Sequence, residues 1–105
     1  MATVTASNDE PVALTDAINI TAAEAEPNTA TGYDTDNYPA SPQVLYYFTV
    51  EADGEDTLTS EVFSTSFAEA HTWPSVIIPA AGTWTAHLRL AADDSSVANT
   101  TITAS

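Results

Sequence analysis

Carboxylates are the most abundant groups in this sequence that could take part in chemistry. The chain of 105 residues contains fifteen Asp and Glu, two His and no Cys. Asp34-Thr35-Asp36-Asn37 places oxygen ligands at alternate positions, as the start of a calcium loop does. A twelve-residue calcium loop would continue with Gly at its sixth position and Glu at its twelfth, where this chain has Pro39 and Leu45. We therefore interpret the stretch as a solvated loop and predict no metal and no cofactor. Weak calcium binding by this loop, by the acidic turn at residues 53–56 or by Asp93-Asp94 stays an open alternative.

The residues that serve as nucleophiles and bases in enzymes form no recognisable motif. His71 and His87 are the two histidines, and no G-x-S-x-G nucleophile elbow is present. The absence of Cys excludes a thiolate nucleophile and a disulfide. Nothing in the spacing of the many carboxylates marks a general acid and base pair. The sequence therefore predicts a protein that is not an enzyme and has no catalytic residues.

The charge balance narrows the range of partners. Arg89 is the single Lys or Arg, and the formal net charge is −14. Nucleic-acid binding needs a basic surface, and an anionic membrane would repel this chain, so we expect neither as a partner. The N-terminal MATVTASNDE has no basic or apolar stretch of the kind found in secretory signals, so we expect synthesis in the cytoplasm without an export signal. A hydrophobic content of 44% is sufficient for a core.

Alternation of apolar and polar residues dominates the chain and indicates β-strands. The clearest strands are Val44–Ala52 and Thr83–Leu90, and Ala17–Ala22 shows the same period. The side chains that share the apolar faces are the predicted core: Ile18, Ile20, Tyr46, Phe48, Val50, Trp84, Ala86, Leu88, Leu90 and Ile102. His87 and Arg89 fall on the outer face of their strand.

The remaining strands are shorter or less regular. Pro74 interrupts one of them and favours a sheet edge or a bend, and Val62-Phe63 breaks the alternation in a way that indicates a bulge. We expect Val62 to contact apolar surface. These additional strands are Thr3–Ser7, Val12–Leu14, Thr57–Ser66, Thr72–Ile78 and Val97–Ala104. About seven strands with turns every 8–12 residues predict an all-β sandwich or barrel.

Two features interrupt the β pattern. Single helical turns are predicted at Ala22–Glu26 and at Phe67–His71. A long irregular loop, at about residues 23–43, carries Tyr33 and Tyr38 among turn-forming residues. Loops of this length in small domains are usually functional or mobile. We therefore predict one domain over residues 1–105 with this loop as its largest irregular part.

The segment from Pro79 to Ala86 resembles the corner that leads into the sixth strand of immunoglobulin-like domains. Gly82 is followed two positions later by the aromatic Trp84, where the family has Tyr, and Ala86 stands where antibody domains have Cys. The resemblance spans roughly the last 60 residues, where the final two strands are similar to those of bacterial and phage modules. It implies a single immunoglobulin-like antiparallel sandwich of about seven strands with no disulfide.

Small, acidic, stand-alone sandwiches of this kind resemble the head decoration or minor capsid proteins of tailed bacteriophages. That resemblance implies a non-enzymatic structural protein on the capsid exterior of a virion, made in the host cytoplasm. It would bind the major capsid protein or another virion protein and stabilise the head, as a monomer or a homotrimer. Two alternatives stay open, namely an adhesion or carbohydrate-binding module and a phage tail accessory module.

Three aromatic residues are the candidates for partner binding. Trp73 lies next to the expected sheet edge, and Tyr33 and Tyr38 lie in the long loop. Trp and Tyr are enriched at protein interfaces because they combine a large apolar area with a polar tip. If the module bound carbohydrate instead, Trp73, Tyr47 and the acidic loops would form the platform.

Overall fold

The structure of the protein, a computed structural model, describes residues 3–6, 11–25, 43–66 and 69–105. Within these ranges the chain forms β-strands and no helix. The eight strands are β1 (Thr3–Ala6), β2 (Ala17–Ala25), β3 (Gln43–Glu51), β4 (Leu58–Thr59), β5 (Phe63–Ser66), β6 (Glu69–Ile77), β7 (Gly82–Leu90) and β8 (Ser96–Ala104).

The strands form two antiparallel sheets. One sheet has the order β1-β2-β6, and in the other β3 and β8 flank β7. Thr49 and Val50 of β3 pair with both β4 and β7, and Tyr46 pairs with both β5 and β7, so the two short strands lie on the far side of β3 and share one position. The described chain therefore has seven strand positions, which confirms the predicted all-β sandwich of about seven strands.

The order of the strands defines the variety of sandwich. Sheets β1-β2-β6 and β3-β7-β8 have the pairing of the first, second and fifth strands, and of the third, sixth and seventh, in an immunoglobulin-like domain. In the constant-type domain the fourth strand extends the sheet of the first strand. Here the fourth position, occupied by β4 and β5, lies beside β3 instead. The edge strands are therefore β1 and β6 in one sheet, and β8 and the position shared by β4 and β5 in the other.

One core lies between the two sheets. All ten residues that alternation places inside are buried, from Ile18 and Ile20 on β2 to Ile102 on β8. The same cluster includes six further residues, namely Val4, Val12, Ala22, Val76, Ile78 and Ala104. Because no disulfide is present, burial of these apolar side chains is the main stabilising contribution.

Trp84 closes the corner that enters β7. Its side chain is 1% exposed, and its indole Nε1–H donates to the carbonyl oxygen of Ala80 at 2.9 Å. In immunoglobulin-like domains the corner Tyr makes a similar bond to the backbone a few residues upstream. Gly82, between the two bonded residues, has φ of 134°, a conformation that L side chains rarely adopt. The indole N–H of Trp84 therefore makes the corner hydrogen bond that the phenol makes in those domains.

Two predicted helical turns are wrong. Residues as far as Ala25 continue strand β2, and β6 already begins at Glu69 rather than at Thr72. The two segments pair with each other, Ala22 opposite His71 and Ala25 opposite Glu69. Ala and Glu favour helices, but that preference is weak and the tertiary pairing overrides it. Of the loop predicted at about residues 23–43, residues 23–25 belong to β2 and residue 43 begins β3, and the remainder lies outside the described residues.

The strand predicted over Thr57–Ser66 is interrupted at residues 60–62. Ser60 bridges the break, since its backbone N–H donates to the Phe48 carbonyl at 2.9 Å and its Oγ accepts from the Phe48 N–H at 2.7 Å. The break turns Val62 outward, and it is 55% exposed. Val62 therefore does not pack against the core, contrary to the expectation for this strand, although an irregularity was predicted at this point.

Strand β6 carries a bulge at Pro74 and Ser75. Ile18 pairs with Val76 and Ile20 with Trp73, so two residues of β6 oppose the single Asn19. Ser75 has φ of 58°, and its N–H donates to the side-chain oxygen of Asn19 at 3.2 Å. Pro and bulges belong at sheet edges, which confirms the edge position predicted from Pro74.

The predicted strand over Val12–Leu14 is reduced to one bridge. Val12 pairs with Ala104 in parallel, with its N–H donating to the Thr103 carbonyl at 2.9 Å. Leu14 adds a bond to the carbonyl of Ser105, and residues 14–15 then form a turn. This segment covers the outer edge of β8 near the chain's last residues.

Candidate functional site

The two sheets leave an aromatic cleft between their lateral edges, which we call the lateral groove. It lies where β5, at the edge of one sheet, approaches β6, at the edge of the other. Its volume is about 470 Å³, within the range of ligand-binding clefts. The side chains that define it are Phe48, Glu61, Val62, Phe63, His71 and Trp73.

Four rings stack along the lateral groove. His71 lies over Phe63 with ring centroids 3.7 Å apart and planes 12° from parallel. Trp73 is almost parallel to Phe48 at 6.2 Å, and Phe63 lies 5.2 Å from Phe48. These contacts connect β3, β5 and β6 across the opening between the two sheets. Aromatic pairs at such separations stabilise one another beyond the area that they bury.

Exposure increases from the floor of the lateral groove to its rim. Phe48 is fully buried, Phe63 and Trp73 are half-buried, and His71 is exposed. Partial burial lowers the pKa of His71, because desolvation disfavours the imidazolium. The neutral ring therefore prevails at pH 7, and the groove presents an apolar aromatic surface with Val62 projecting beside it.

A second group of polar side chains covers the outer face of β3 and β7, and we call it the outer-face network. Arg89 is its centre: Nε donates to Thr49 Oγ1 at 3.0 Å, Nη2 to Glu51 Oε2 at 2.8 Å and Nη1 to the Asp94 carbonyl at 2.9 Å. Thr49 is 5% exposed although its position alternates outward, and Arg89 supplies its hydrogen-bond partner. The chain's single guanidinium is therefore engaged within its own sheet.

The outer-face network contains a Ser, a His and a Glu in contact. His87 Nε2 lies 3.1 Å from Glu51 Oε2, and its Nδ1 lies 2.8 Å from Ser96 Oγ. Serine hydrolases use the opposite order, with Nε2 at the serine and Nδ1 at the carboxylate. Arg89 shares the same Glu51 oxygen, and Ser96 Oγ has an alternative acceptor in the Ala98 carbonyl at 3.3 Å. The arrangement is that of a cross-strand polar ladder.

Electrostatics within the outer-face network follow from these contacts. Burial lowers the pKa of His87, the positive charge of Arg89 lowers it further, and Glu51 opposes both. Tyr47 donates to Asp94 Oδ1 at 2.5 Å, and this hydrogen bond raises the pKa of the phenol. Asp93 accepts from the side chain and the backbone of Ser95, which lowers the pKa of its carboxyl.

The part of the chain that the structure describes has neither a metal-binding cluster nor a membrane-spanning helix. Over residues 3–6, 11–25, 43–66 and 69–105, no group of three or more His, Asp or Glu side chains could hold a metal ion. No helix in this part of the chain is long and apolar enough to cross a membrane. All buried side-chain nitrogen and oxygen atoms of the same residues have a hydrogen-bond partner.

The structure places one of the three predicted partner-binding residues. Trp73 lies in the lateral groove on the edge strand β6. Tyr33 and Tyr38 lie outside the described residues, as does the stretch Asp34–Asn37. Sequence reasoning did not identify Phe63 and His71 as neighbours of Trp73. The break in alternation at Val62-Phe63 was the available signal, but the contact to His71 depends on how two different sheets meet.

Comparison with known proteins adds no relative. No family model matches the chain, and no curated protein or solved structure matches it. The geometry of the lateral groove and of the outer-face network is therefore the basis for the function proposed below.

Proposed function

We propose that this protein is a non-catalytic binding module that docks on another protein through the lateral groove. The observation that carries the proposal is the stack of Phe48, Phe63, His71 and Trp73 at the opening between two edge strands. Val62, 55% exposed, extends the apolar surface beyond the rings. Protein interfaces concentrate their binding energy in such aromatic pockets, where an inserted side chain is fully desolvated.

The outer-face network supports a structural role for the opposite surface. Its Glu51, His87 and Arg89 satisfy one another across adjacent strands, and the His-Ser geometry is the reverse of that in serine hydrolases. A catalytic base needs a reacting group to act on, whereas these atoms are engaged within the sheet. This favours a binding protein over an enzyme.

Within that class, we propose a structural module of a phage virion that attaches to the outside of the head. The support is the corner from Pro79 to Ala86, its resemblance to phage immunoglobulin-like modules, and the strand order. The partner would be the major capsid protein or another virion protein. An acidic surface on the capsid exterior would not compete for the packaged nucleic acid, because phosphates repel it.

Carbohydrate binding is the less favoured alternative. Trp73 is half-buried, and its ring is stacked almost parallel to Phe48. Tyr47, the other residue of that hypothesis, lies in the outer-face network and is bonded to Asp94. The two aromatics therefore belong to separate surfaces rather than to one platform.

Two exposed aliphatic side chains provide a matched test. Val62, 55% exposed, lines the lateral groove, and Ile77, 53% exposed, does not. We expect Val62→Asp to abolish sedimentation of the protein with purified virus particles or heads, and Ile77→Asp to leave it unchanged. Circular dichroism should show both variants folded, since neither side chain is in the core. Equal effects of the two variants, or absence of the protein from particles by mass spectrometry, would refute the proposal.

A further inference from the structure

We infer that the partner surface at the lateral groove is basic, with Lys or Arg side chains surrounding a protruding apolar or aromatic residue. The inference rests on the proposed function and adds the chemistry of the partner to it. Its basis is the presence of an apolar cleft on a molecule whose net charge is −14.

The first observation is where the positive charge lies. The chain has fifteen carboxylates and a single Lys or Arg. That residue, Arg89, is on the outer face of β7, where Glu51, Thr49 and the Asp94 carbonyl engage its guanidinium. The described surface near the groove therefore has no Lys or Arg, and an acidic partner would meet uncompensated repulsion.

The second observation concerns the rim of the groove itself. Five carboxylates lie between Glu51 and Glu61; Glu61 is the one that lines the groove, while Glu51 belongs to the outer-face network. Glu61 is exposed and lines the groove beside Val62. Desolvation lowers the pKa of His71 on the opposite wall, so the neutral ring prevails there at pH 7. The groove thus combines an apolar interior with one carboxylate at its margin, that of Glu61, on a molecule of net charge −14.

Together these features specify both parts of the partner. The rings of Phe63 and Trp73 provide area for an apolar side chain, which supplies affinity when it is desolvated. The Glu61 carboxylate and the net negative charge attract cations around that side chain and accelerate their approach, an effect that salt screens. Neither a purely basic nor a purely apolar surface would satisfy the two requirements together.

Three capped peptides can test this directly with the full chain. In the first, lysine alternates with phenylalanine; in the second, glutamate replaces lysine; in the third, serine replaces phenylalanine. We expect only the first to bind with shifts of the Trp73 indole and His71 ring signals in NMR spectra. Its affinity should fall at least about tenfold when the ionic strength rises from about 0.05 M to about 0.5 M.

A pair of charge variants separates contact at the groove from general attraction. Glu61→Gln and Glu55→Gln remove the same charge, but only Glu61 lines the groove. We expect Glu61→Gln to weaken the lysine-phenylalanine peptide several-fold more than Glu55→Gln does. Equal weakening by the two variants, equal binding of the three peptides or no binding of any would overturn the inference. The effect of Val62→Asp on binding to virus particles is independent of these results, so failure of the proposed function is distinguishable.

Discussion

Replacement of Trp84 tests whether the corner into β7 holds the sandwich together. The side chain is 1% exposed and donates to the Ala80 carbonyl at 2.9 Å. Removal of a buried large aromatic side chain typically costs about 3–5 kcal/mol, so we expect Trp84→Ala to lose that much of the free energy of unfolding. A domain of this size has a total of about 5–15 kcal/mol, so this variant will be near the limit of folding.

Trp84→Phe separates the contribution of the hydrogen bond from that of apolar burial. Phenylalanine keeps most of the apolar burial but removes the N–H donor, whose net contribution is about 1 kcal/mol. The smaller ring loses about as much again in burial, which gives an expected total of about 2 kcal/mol. Urea unfolding, followed by circular dichroism and by the fluorescence of the remaining Trp73, measures both variants.

The control is an exposed residue on the same molecule. Ile77→Ala, at a side chain that is 53% exposed, should change the free energy of unfolding by less than about 0.5 kcal/mol. A loss below about 1 kcal/mol for Trp84→Ala would refute the role assigned to the corner. A Trp84→Phe variant as unstable as Trp84→Ala would show that the hydrogen bond, not burial, dominates.

Further predictions concern the outer-face network and the overall charge. Arg89→Met should lower the free energy of unfolding by about 1–2 kcal/mol, measured in urea, because Thr49 and Glu51 lose their donor; an unchanged midpoint would contradict this. Burial lowers the pKa of His87 in the folded protein, so as the pH falls below about 6.5 the unfolded chain binds a proton at this histidine more readily than the folded protein does. The free energy of unfolding therefore decreases as the pH falls below that value. His87→Asn should therefore flatten the fall in stability between about pH 7 and about pH 5, and an unaltered slope would exclude His87 as its source. Added sodium chloride should raise the melting temperature by several degrees, since it screens a net charge of −14; a constant value would show that the carboxylates do not repel significantly.

The sequence predicts the core well because alternation depends on one strand at a time. Tyr46, Phe48 and Val50 share a face by period alone. The even-numbered residues from Trp84 to Leu90 do the same. Each is buried in the structure. Local composition predicts less well where pairing with another strand determines the structure. The Ala- and Glu-rich ends of β2 and β6 are an example, because they pair as strands despite their helix preference.

The candidate sites depend on contacts between distant parts of the chain, which periodicity does not contain. Trp73 was identified because Pro74 indicated an edge, but its neighbour Phe63 belongs to a different sheet. Likewise the contact of Arg89 with Glu51 joins residues 38 positions apart, fixed by the register of β3 against β7. Types and faces of residues could be predicted, whereas the meeting of two edges could not.

Strand β3 connects the two candidate surfaces and also separates them. Its even-numbered residues Tyr46 and Phe48 point into the core, and Phe48 forms the floor of the lateral groove, while Thr49 and Glu51 build the outer-face network. Because neighbouring residues of a strand face opposite ways, a substitution on one surface makes no direct contact with the other. The network holds the chain's single guanidinium on the face away from the groove, so the negative margin of the groove is preserved. The same alternation that produces the core therefore places the polar network on one face of β3 and the proposed docking surface on the other.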